Sequence, residues 1–376
     1  MEKMALTLFG DIYRNKKIIV TGNTGFKGSW LSAWLQNMGA QVTGFSDRIP
    51  TEPSFYVATG LDKQVNQVWG DIRDLAAVTQ LIKTVKPDFV FHLAAQALVK
   101  QSLQDPLETF TVNAIGTGNL LNALKEVNHP CSVVFITSDK CYENVEWVWG
   151  YKETDRLGGK DPYSASKAAA EIIFHSFFHT YFSKQDHIRM ATARAGNVIG
   201  GGDWAPDRIV PDCIRKWSVN ETVNIRRPNS TRPWQHVLEP LGGYLLLGAQ
   251  LASDPKKVHG ESFNFGPPAN QDYKVGELIM DLARYWTGTD AAKLINIEED
   301  HSFYEAGLLK LNTDKALAML KWQPCLNYGE TMQLTGEWYD YFYKNNPDAF
   351  SLHDFSLQQV KLFLQMAADK HLQWMY

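Results

Sequence analysis

The chain has 376 residues, 44% of them hydrophobic and 21% charged, with a formal charge of -4. That length allows two packed units or one α/β domain with a large insertion, and the composition excludes long disorder. No basic block or basic-aromatic stripe occurs, so nucleic acid is not an expected partner.

In chain order, Lys17–Thr21 reads as a β-branched strand and Lys27–Met38 as a helix, with Trp30, Leu31, Trp34, Leu35 and Met38 on one face. Gln41–Phe45 and Gln67–Trp69 read as strands, and Asp74–Val85 as a helix stopped by Lys86-Pro87. Phe89–Leu93 is a continuous apolar strand, and Thr109–Val127 a long helix. Val133–Ser138 is a strand, Pro162–Ser183 a second long helix and Met190–Ala195 a sixth strand. Apolar strands separated by helices predict a Rossmann-type, doubly wound parallel α/β sheet covered on both faces.

Beyond Gly200, glycine, proline, tryptophan and arginine become frequent and strand signals short, apart from Ser262–Phe265. The division expected is a Rossmann domain over 1–200, with 238–265 returning to it through a helix at Leu238–Leu251. A smaller substrate-binding lobe occupies most of 201–350, and a helical tail at 351–376 caps the fold or meets a neighbouring subunit.

The best membrane candidate, Leu241 to Ala252, is broken by glycines and is about half the roughly 20 residues a span needs. Met4–Phe9 is too short for a secretory h-region. Cys131, Cys141, Cys213 and Cys325 are scattered without metal-type spacing, which points to a reduced, cytoplasmic protein with buried thiols and no metal.

The run Gly22-Asn23-Thr24-Gly25-Phe26-Lys27-Gly28 lies between the first strand and the first helix. Glycines there allow a tight turn and let backbone approach a pyrophosphate at the helix N-terminus. Asp47 closes the second strand, where an acid takes the adenosine ribose hydroxyls; Arg48 beside it leaves a 2′-phosphate open. Asp71-Ile72 follows the third strand, where an acid accepts from the adenine amino group. Together these favour NAD over NADP.

Tyr163 and Lys167 share one helical face four residues apart. An ammonium beside the phenol, with a nicotinamide, is expected to lower the tyrosine pKa toward neutrality and make Tyr163 a base for an alcohol proton. The end of the fifth strand supplies Ser138, Asp139 and Lys140, and in an open parallel sheet that edge faces the ligand crevice. Ser138 suits a hydrogen bond to a sugar hydroxyl. Asp139 and Lys140 add an acid-base pair that simple hydride transfer does not need.

Six motifs carry a family resemblance: Thr21-Gly22-x-x-Gly25-Phe26-x-Gly28, Asp71-Ile72-x-Asp74, His92-Leu93-Ala94-Ala95-Gln96, Asn113-Ala114-x-Gly116-Thr117, Tyr163-x-x-x-Lys167 and Arg194-Ala195-x-Asn197-Val198-x-Gly200. Together they resemble the extended short-chain dehydrogenase/reductases. Ser138-Asp139-Lys140, Gly201-Gly202-Asp203-Trp204 and Arg232-Pro233-Trp234-Gln235-His236-Val237 are similar to the nucleotide-sugar dehydratase branch, from about Tyr13 to Tyr343.

The resemblance implies NAD held by Gly22, Thr24, Gly25, Phe26, Lys27, Asp47, Arg48, Asp71, Ile72, Leu93, Ala94, Ala95 and Gln96, with Tyr163 and Lys167 at the nicotinamide. It implies CDP-glucose as substrate, with Asn197, Arg208 and Arg232 toward the sugar nucleotide, and Arg226 a weaker candidate. The reaction implied is dehydration to CDP-4-keto-6-deoxyglucose, in a homodimer built on the two long helices. Members acting on dTDP-glucose carry Glu where this chain has Lys140. A lysine base must be neutral, and burial beside Lys167 is expected to make it so; orienting a water or polarising a ketone are its other possible uses. Trp204, Trp217 and Trp234 could stack on a base, although core packing explains most tryptophans. A UDP-sugar 4-epimerase or an idle dinucleotide sensor would share the turn, but neither has a use for the Asp139/Lys140 pair.

Overall fold

The computed structural model describes residues 8–225, 227–268, 271, 273–288, 290–297 and 308–375. Arg226 lies outside the described residues.

Seven parallel strands form the central sheet: β1 (Lys17–Thr21), β2 (Gln41–Ser46), β3 (Asn66–Trp69), β4 (Phe89–His92), β5 (Cys131–Ile136), β6 (Ile188–Ala195) and β7 (Ser262–Phe265). Their spatial order is β7-β6-β5-β4-β1-β2-β3. The order reverses at β1, between β4 and β2. That is the switch point at which the strands' carboxyl ends open a ligand crevice.

Alternation along the strands sends side chains to two cores. Ile18 and Val20 join one with Trp30, Trp34 and Leu35 from α1 (Phe26–Asn37). Ile19, Val90, Val133 and Phe135 join the other, with Val78, Leu81 and Ile82 from α2 (Leu75–Val85).

A short helix, α3 (Val99–Gln104), precedes α4, which runs through Pro106–Phe110, π-helical Thr111–Ile115 and Gly116–Leu124. The expected start at Thr109 is therefore late. The Asp105 side chain accepts from Glu108 N, and Pro106 fills the first helical position where its missing N–H costs nothing. Next comes α5 (Pro162–Phe177), continued by π-helical Phe178–Phe182.

The segment 201–350 is more helical than its sequence suggests. It holds α6 (Ile209–Ser218), then α7 (Leu238–Ser253), which packs back onto β5 and β6, then α8 (Val275–Ala283), α9 (Asp314–Leu320) and α10 (Tyr328–Asn345). The tail, α11 (Ala349–Asp369), caps the fold: Phe363 is fully buried with its ring 6.0 Å from Trp34. Trp204, Trp217 and Trp234 are all buried and belong to the core. The four cysteines are free and buried. Among the described residues no helix is long and apolar enough to cross a membrane.

Candidate active site

The glycine turn is built by exclusion. Gly22 has φ +71°, and a Cβ there would lie 2.7 Å from Ala94 N; one on Gly28 would overlap the Gly22 carbonyl oxygen. Gly25 caps α1 without a side-chain hydrogen bond, and a Cβ on it would meet only Gly22 O at 3.4 Å. The first-turn N–H groups of α1 are thus left for an anion approaching from an open side. The strand tips are lashed together around this turn. Thr21 Oγ1 accepts from Ala94 N at 3.1 Å, and Thr24 Oγ1 donates to the Arg48 carbonyl at 2.7 Å.

Asp47 and Arg48 follow β2 at the surface, loosely paired at 3.8 Å. Asp71, after β3, accepts from Arg73 Nε at 2.8 Å and Nη2 at 2.5 Å, and these bonds hold its carboxyl below the usual range. An adenine amino group would have to share that carboxylate with Arg73. Ile72 is buried, and a Cβ on Gly116 would meet its Cγ2 at 2.7 Å.

At the tip of β4, Leu93 N donates to Thr21 O at 3.1 Å. Gln96 is committed to the scaffold: its N–H donates to Asn113 Oδ1 at 2.8 Å, and its Nε2 to Leu98 O and Thr109 Oγ1 at 2.9 Å each. Asn113 in turn donates to Ser166 Oγ at 2.8 Å, fixing α5 from below.

The first turn of α5 is capped by Asp161, which accepts from Ser164 N at 2.9 Å and Ser164 Oγ at 2.6 Å. Tyr163 N donates to Ser102 Oγ on α3 at 3.2 Å. Across from this turn, Ser138 Oγ accepts from Lys140 N at 3.3 Å and donates to Asp139 Oδ1 at 2.9 Å. The same serine favours the Tyr163 phenolate. These groups are all buried: Ser138, Asp139, Tyr163 and Lys167 are each less than a tenth exposed.

Burial governs the charges here. It pushes the Tyr163 phenol up to about 12, outweighing the Ser138 hydrogen bond. The expectation of a lowered tyrosine is therefore not met by the chain's own groups. Lys167 does not offset the burial, because burial also pulls its own ammonium down to about 8 against the attraction of Glu171. Desolvation raises the Asp139 carboxyl, opposed by Lys140, Ser138 and Lys27. A carboxyl that holds its proton is equipped to donate it. Lys140 is only half-buried, so the enclosure expected for it is incomplete.

The candidates on the substrate side divide. Arg208 pairs with Asp203 Oδ2 at 2.8 Å and lies close enough to Tyr163 to favour its phenolate. Asn197, between β6 and the short strand Val198–Ile199, accepts from Gln235 N through its carbonyl at 3.0 Å. Arg232 lies in a two-stranded ribbon formed by Thr231–Arg232 and Tyr273–Lys274, its Nη1 donating to Thr231 O at 2.7 Å.

The sequence reading overlooked the support beneath the site. Glu171, one helical turn past Lys167, accepts from Arg194 Nε at 2.9 Å and Nη2 at 3.0 Å and from Thr192 Oγ1 at 2.9 Å. Thr137 at the β5 tip donates to it at 2.5 Å. The four-residue step from Lys167 was a usable signal for Glu171. Nothing local signalled Tyr244, whose hydroxyl receives Lys27 Nζ at 3.2 Å.

Fold and site together define an enzyme of the extended short-chain dehydrogenase/reductase class. The chain belongs to the family described as GDP-mannose 4,6 dehydratase, whose pattern matches residues 19–335. It is 45% identical over 333 residues to the CDP-glucose 4,6-dehydratase of Salmonella typhimurium, covering 88% of this chain and 92% of that one. It is 31% identical over 348 residues to the CDP-paratose 2-epimerase of Salmonella typhi, covering 86% and 98%. Among solved structures, a dTDP-glucose 4,6-dehydratase from Streptomyces venezuelae superposes with a TM-score of 0.71 at 21% identity, covering 86% of this chain and 96% of that one.

Proposed function

We propose that this chain converts CDP-glucose to CDP-4-keto-6-deoxyglucose, using a retained NAD. The observation that carries the reading is the Asp139 carboxyl, raised by burial, bonded to Ser138 at 2.9 Å and opposing the charge of the Tyr163 phenol. A 4-epimerase needs the phenol but has no use for a buried acid beside it. The 45% identity to a CDP-glucose 4,6-dehydratase supports the same substrate.

The open glycine turn with uncapped N–H groups fits a dinucleotide pyrophosphate. Gly22, Thr24, Gly25, Phe26 and Lys27 would hold it, with Asp47 at the ribose, Asp71 and Ile72 at the adenine, and Leu93, Ala94, Ala95 and Gln96 along the β4 tip. Arg48 is the residue that would admit a 2′-phosphate. When bound, NAD supplies a hydride acceptor for C4 of the sugar and returns that hydride to C6.

The chain's own groups do the rest. Tyr163 takes the proton of the 4-hydroxyl, with Arg208 favouring the phenolate and Lys167 at the nicotinamide. Ser138 orients that hydroxyl. Lys140 removes the C5 hydrogen, made acidic by the neighbouring ketone, Asp139 protonates the C6 hydroxyl as it leaves as water, and C5 takes a proton from solvent when the hydride returns to C6. Asn197, Arg208 and Arg232 serve the sugar nucleotide. Residues 201–350 form most of its lobe.

CDP-glucose deuterated at C4 is the test of the whole reading. Deuterium at C6 of a 4-keto product is expected; inversion at C4 without a ketone would replace the reading with epimerisation. Lys140→Met should stop release of the C5 hydrogen to solvent, and unchanged exchange would remove Lys140 from that role.

The protein acts as a cytoplasmic homodimer in this reading. Leu103, Leu107, Ile115 and Ile172 on α3, α4 and α5 are each more than half exposed, an apolar set suited to a two-fold helical interface. Leu107→Glu combined with Ile172→Glu should yield monomers in sedimentation; an unchanged mass would move the interface elsewhere.

A further inference from the structure

The proposed acid and base of the elimination sit on one short turn, and that turn is held from beneath at both ends. Asp139–Cys141 is a single 3-10 turn after β5. Its own backbone bonds are long: Cys141 N donates to Ser138 O at 3.2 Å and Tyr142 N to Asp139 O at 3.3 Å. What fixes the turn lies outside it.

Thr137 enters the turn and Tyr142 leaves it, and both reach one buried ion pair. Thr137 Oγ1 donates to Glu171 Oε1 at 2.5 Å, and Arg194 Nε donates to the same oxygen at 2.9 Å. Arg194 Nη1 then donates to the Tyr142 hydroxyl at 2.7 Å, and that hydroxyl donates to Asn264 Oδ1 on β7 at 2.8 Å. Burial pushes the Tyr142 phenol up, so it keeps the proton that the second bond needs. Its ring is stacked on Tyr151 at 5.2 Å, with the Arg194 guanidinium 4.9 Å from its centre. Tyr142, Glu171 and Arg194 are each no more than 1% exposed.

The acid has little room of its own. A Cβ on Gly196, just past β6, would lie 3.1 Å from Asp139 Oδ2, so the carboxylate sits close against backbone at that strand tip. A shift at the exit of the turn therefore moves Asp139, and Lys140 with it.

We propose that Tyr142 is a positioning residue for the elimination of water: pinned between Arg194 and Asn264, it fixes the exit of the turn and so the place of Asp139 and Lys140 against the sugar. The inference rests on the dehydration reading for what those two residues do, but not for the holding of the turn. Tyr163 is placed separately, by the Asp161 cap of α5, and Ser138 lies at the other end of the turn beside the tethered Thr137. Loosening the exit therefore spares the oxidation at C4, which leaves hydride on the cofactor. It slows loss of the C5 proton and the C6 hydroxyl, which must precede the return of that hydride.

Tyr142→Phe keeps the ring and removes the hydroxyl alone. In the NAD-loaded variant with CDP-glucose, kcat should fall about tenfold, as for a modest misplacement of reacting groups. KM should stay near wild type, and enzyme-bound NADH should accumulate in its absorbance during turnover.

Cys141, fully buried in the turn, gives a readout without substrate. A thiol reagent followed by peptide mass mapping should label it about tenfold faster in Tyr142→Phe, because a lost hydrogen bond eases local opening. Cys131, Cys213 and Cys325, buried elsewhere, should keep their wild-type rates. Thr137→Val frees the entry of the turn and should also expose Cys141, whereas Thr137→Ser keeps the donor and should not. Wild-type protein that forms no 4-keto product from CDP-glucose would sink the dehydration reading, and Cys141 labelling would still decide whether Tyr142 holds the turn. The assignment is overturned by Cys141 labelling that does not change in Tyr142→Phe, by all four cysteines labelling faster together, or by a kcat that stays put or falls without bound NADH.

Discussion

The two ends of the sheet's carboxyl edge use the same residue types to opposite effect. At the β5–α5 end, Asp139 is 4% exposed and its carboxyl is raised by desolvation. At the β2–β3 end, Asp71 is held below the usual range by hydrogen bonds from Arg73, and Asp47 and Arg48 keep side-chain exposures of 49% and 58%. Water screens the second pair of sites and is excluded from the first. Burial raises Asp139 because its neighbours oppose it only in part, whereas the bonds from Arg73 outweigh the burial of Asp71.

Tyr163→Phe should lower kcat by roughly a thousandfold, the scale of a lost general base, while NAD binding measured by fluorescence stays near wild type. The chain alone pushes the phenol up to about 12, so the wild-type phenol should titrate well above neutrality without cofactor and at lower pH with NAD bound. Ultraviolet difference spectra of wild type and Tyr163→Phe measure this directly. A phenol that titrates at the same pH in both states would show that the cofactor is not what activates it.

Beneath the reaction end, Arg194→Met should destabilise the fold by about 3–5 kcal/mol, because it leaves the buried Glu171 carboxylate without its cation. Urea unfolding at neutral pH measures the loss, and adding Glu171→Leu should restore much of it. Burial pushes Glu171 up, but the Arg194 ion pair and the hydrogen bonds from Arg194, Thr137 and Thr192 bring it down to about 2. A depressed carboxyl stabilises the fold above its unfolded value and loses that stabilisation as pH falls through the folded one. The wild type should therefore lose stability from about pH 4.5 toward 2 more steeply than the double variant.

This contrast also marks what could be read from sequence. Strands β1 and β7 were legible to the residue because apolar β-branched or aromatic runs bounded by turns have few other readings. Tyr163 with Lys167, and Ser138 with Asp139, were legible because their partners are local in the chain. The anchoring of Lys27 by Tyr244 spans 217 positions and could not be. The helix α10 was missed for a different reason. Its threonines and aromatics weaken helical periodicity, and its start is fixed by a capping box between Asn327 and Glu330, a pattern visible in the sequence but unused.

The cap of α5 offers a smaller test. Asp161→Ala removes the acceptor for Ser164 N and should cost about 1 kcal/mol of stability, with a larger proportional fall in kcat because Tyr163 lies in the frayed turn. Asp161→Asn keeps the acceptor and should recover most of both. Equal stability losses in the two variants would point to the charge of Asp161, not its capping bond, as what matters there.

The smallest effect is expected at the exposed end, where the choice between NAD and NADP would be made. Asp47 faces solvent, so a ribose hydroxyl bonded to it exchanges one polar environment for another and gains little. Asp47→Asn should weaken NAD binding only about threefold, and should strengthen NADP binding by removing an anion from the path of the 2′-phosphate. Arg48→Ala should act on NADP alone, and the difference between the two arginine forms should fade in high salt, because an exposed charge is screened within about 10 Å at 0.1 M ionic strength. Calorimetric titration of both nucleotides at two salt concentrations separates these outcomes. If Asp47→Asn left both affinities unchanged, the ribose would have to be held elsewhere, and the exposed pair after β2 would be surface charge with no part in cofactor choice.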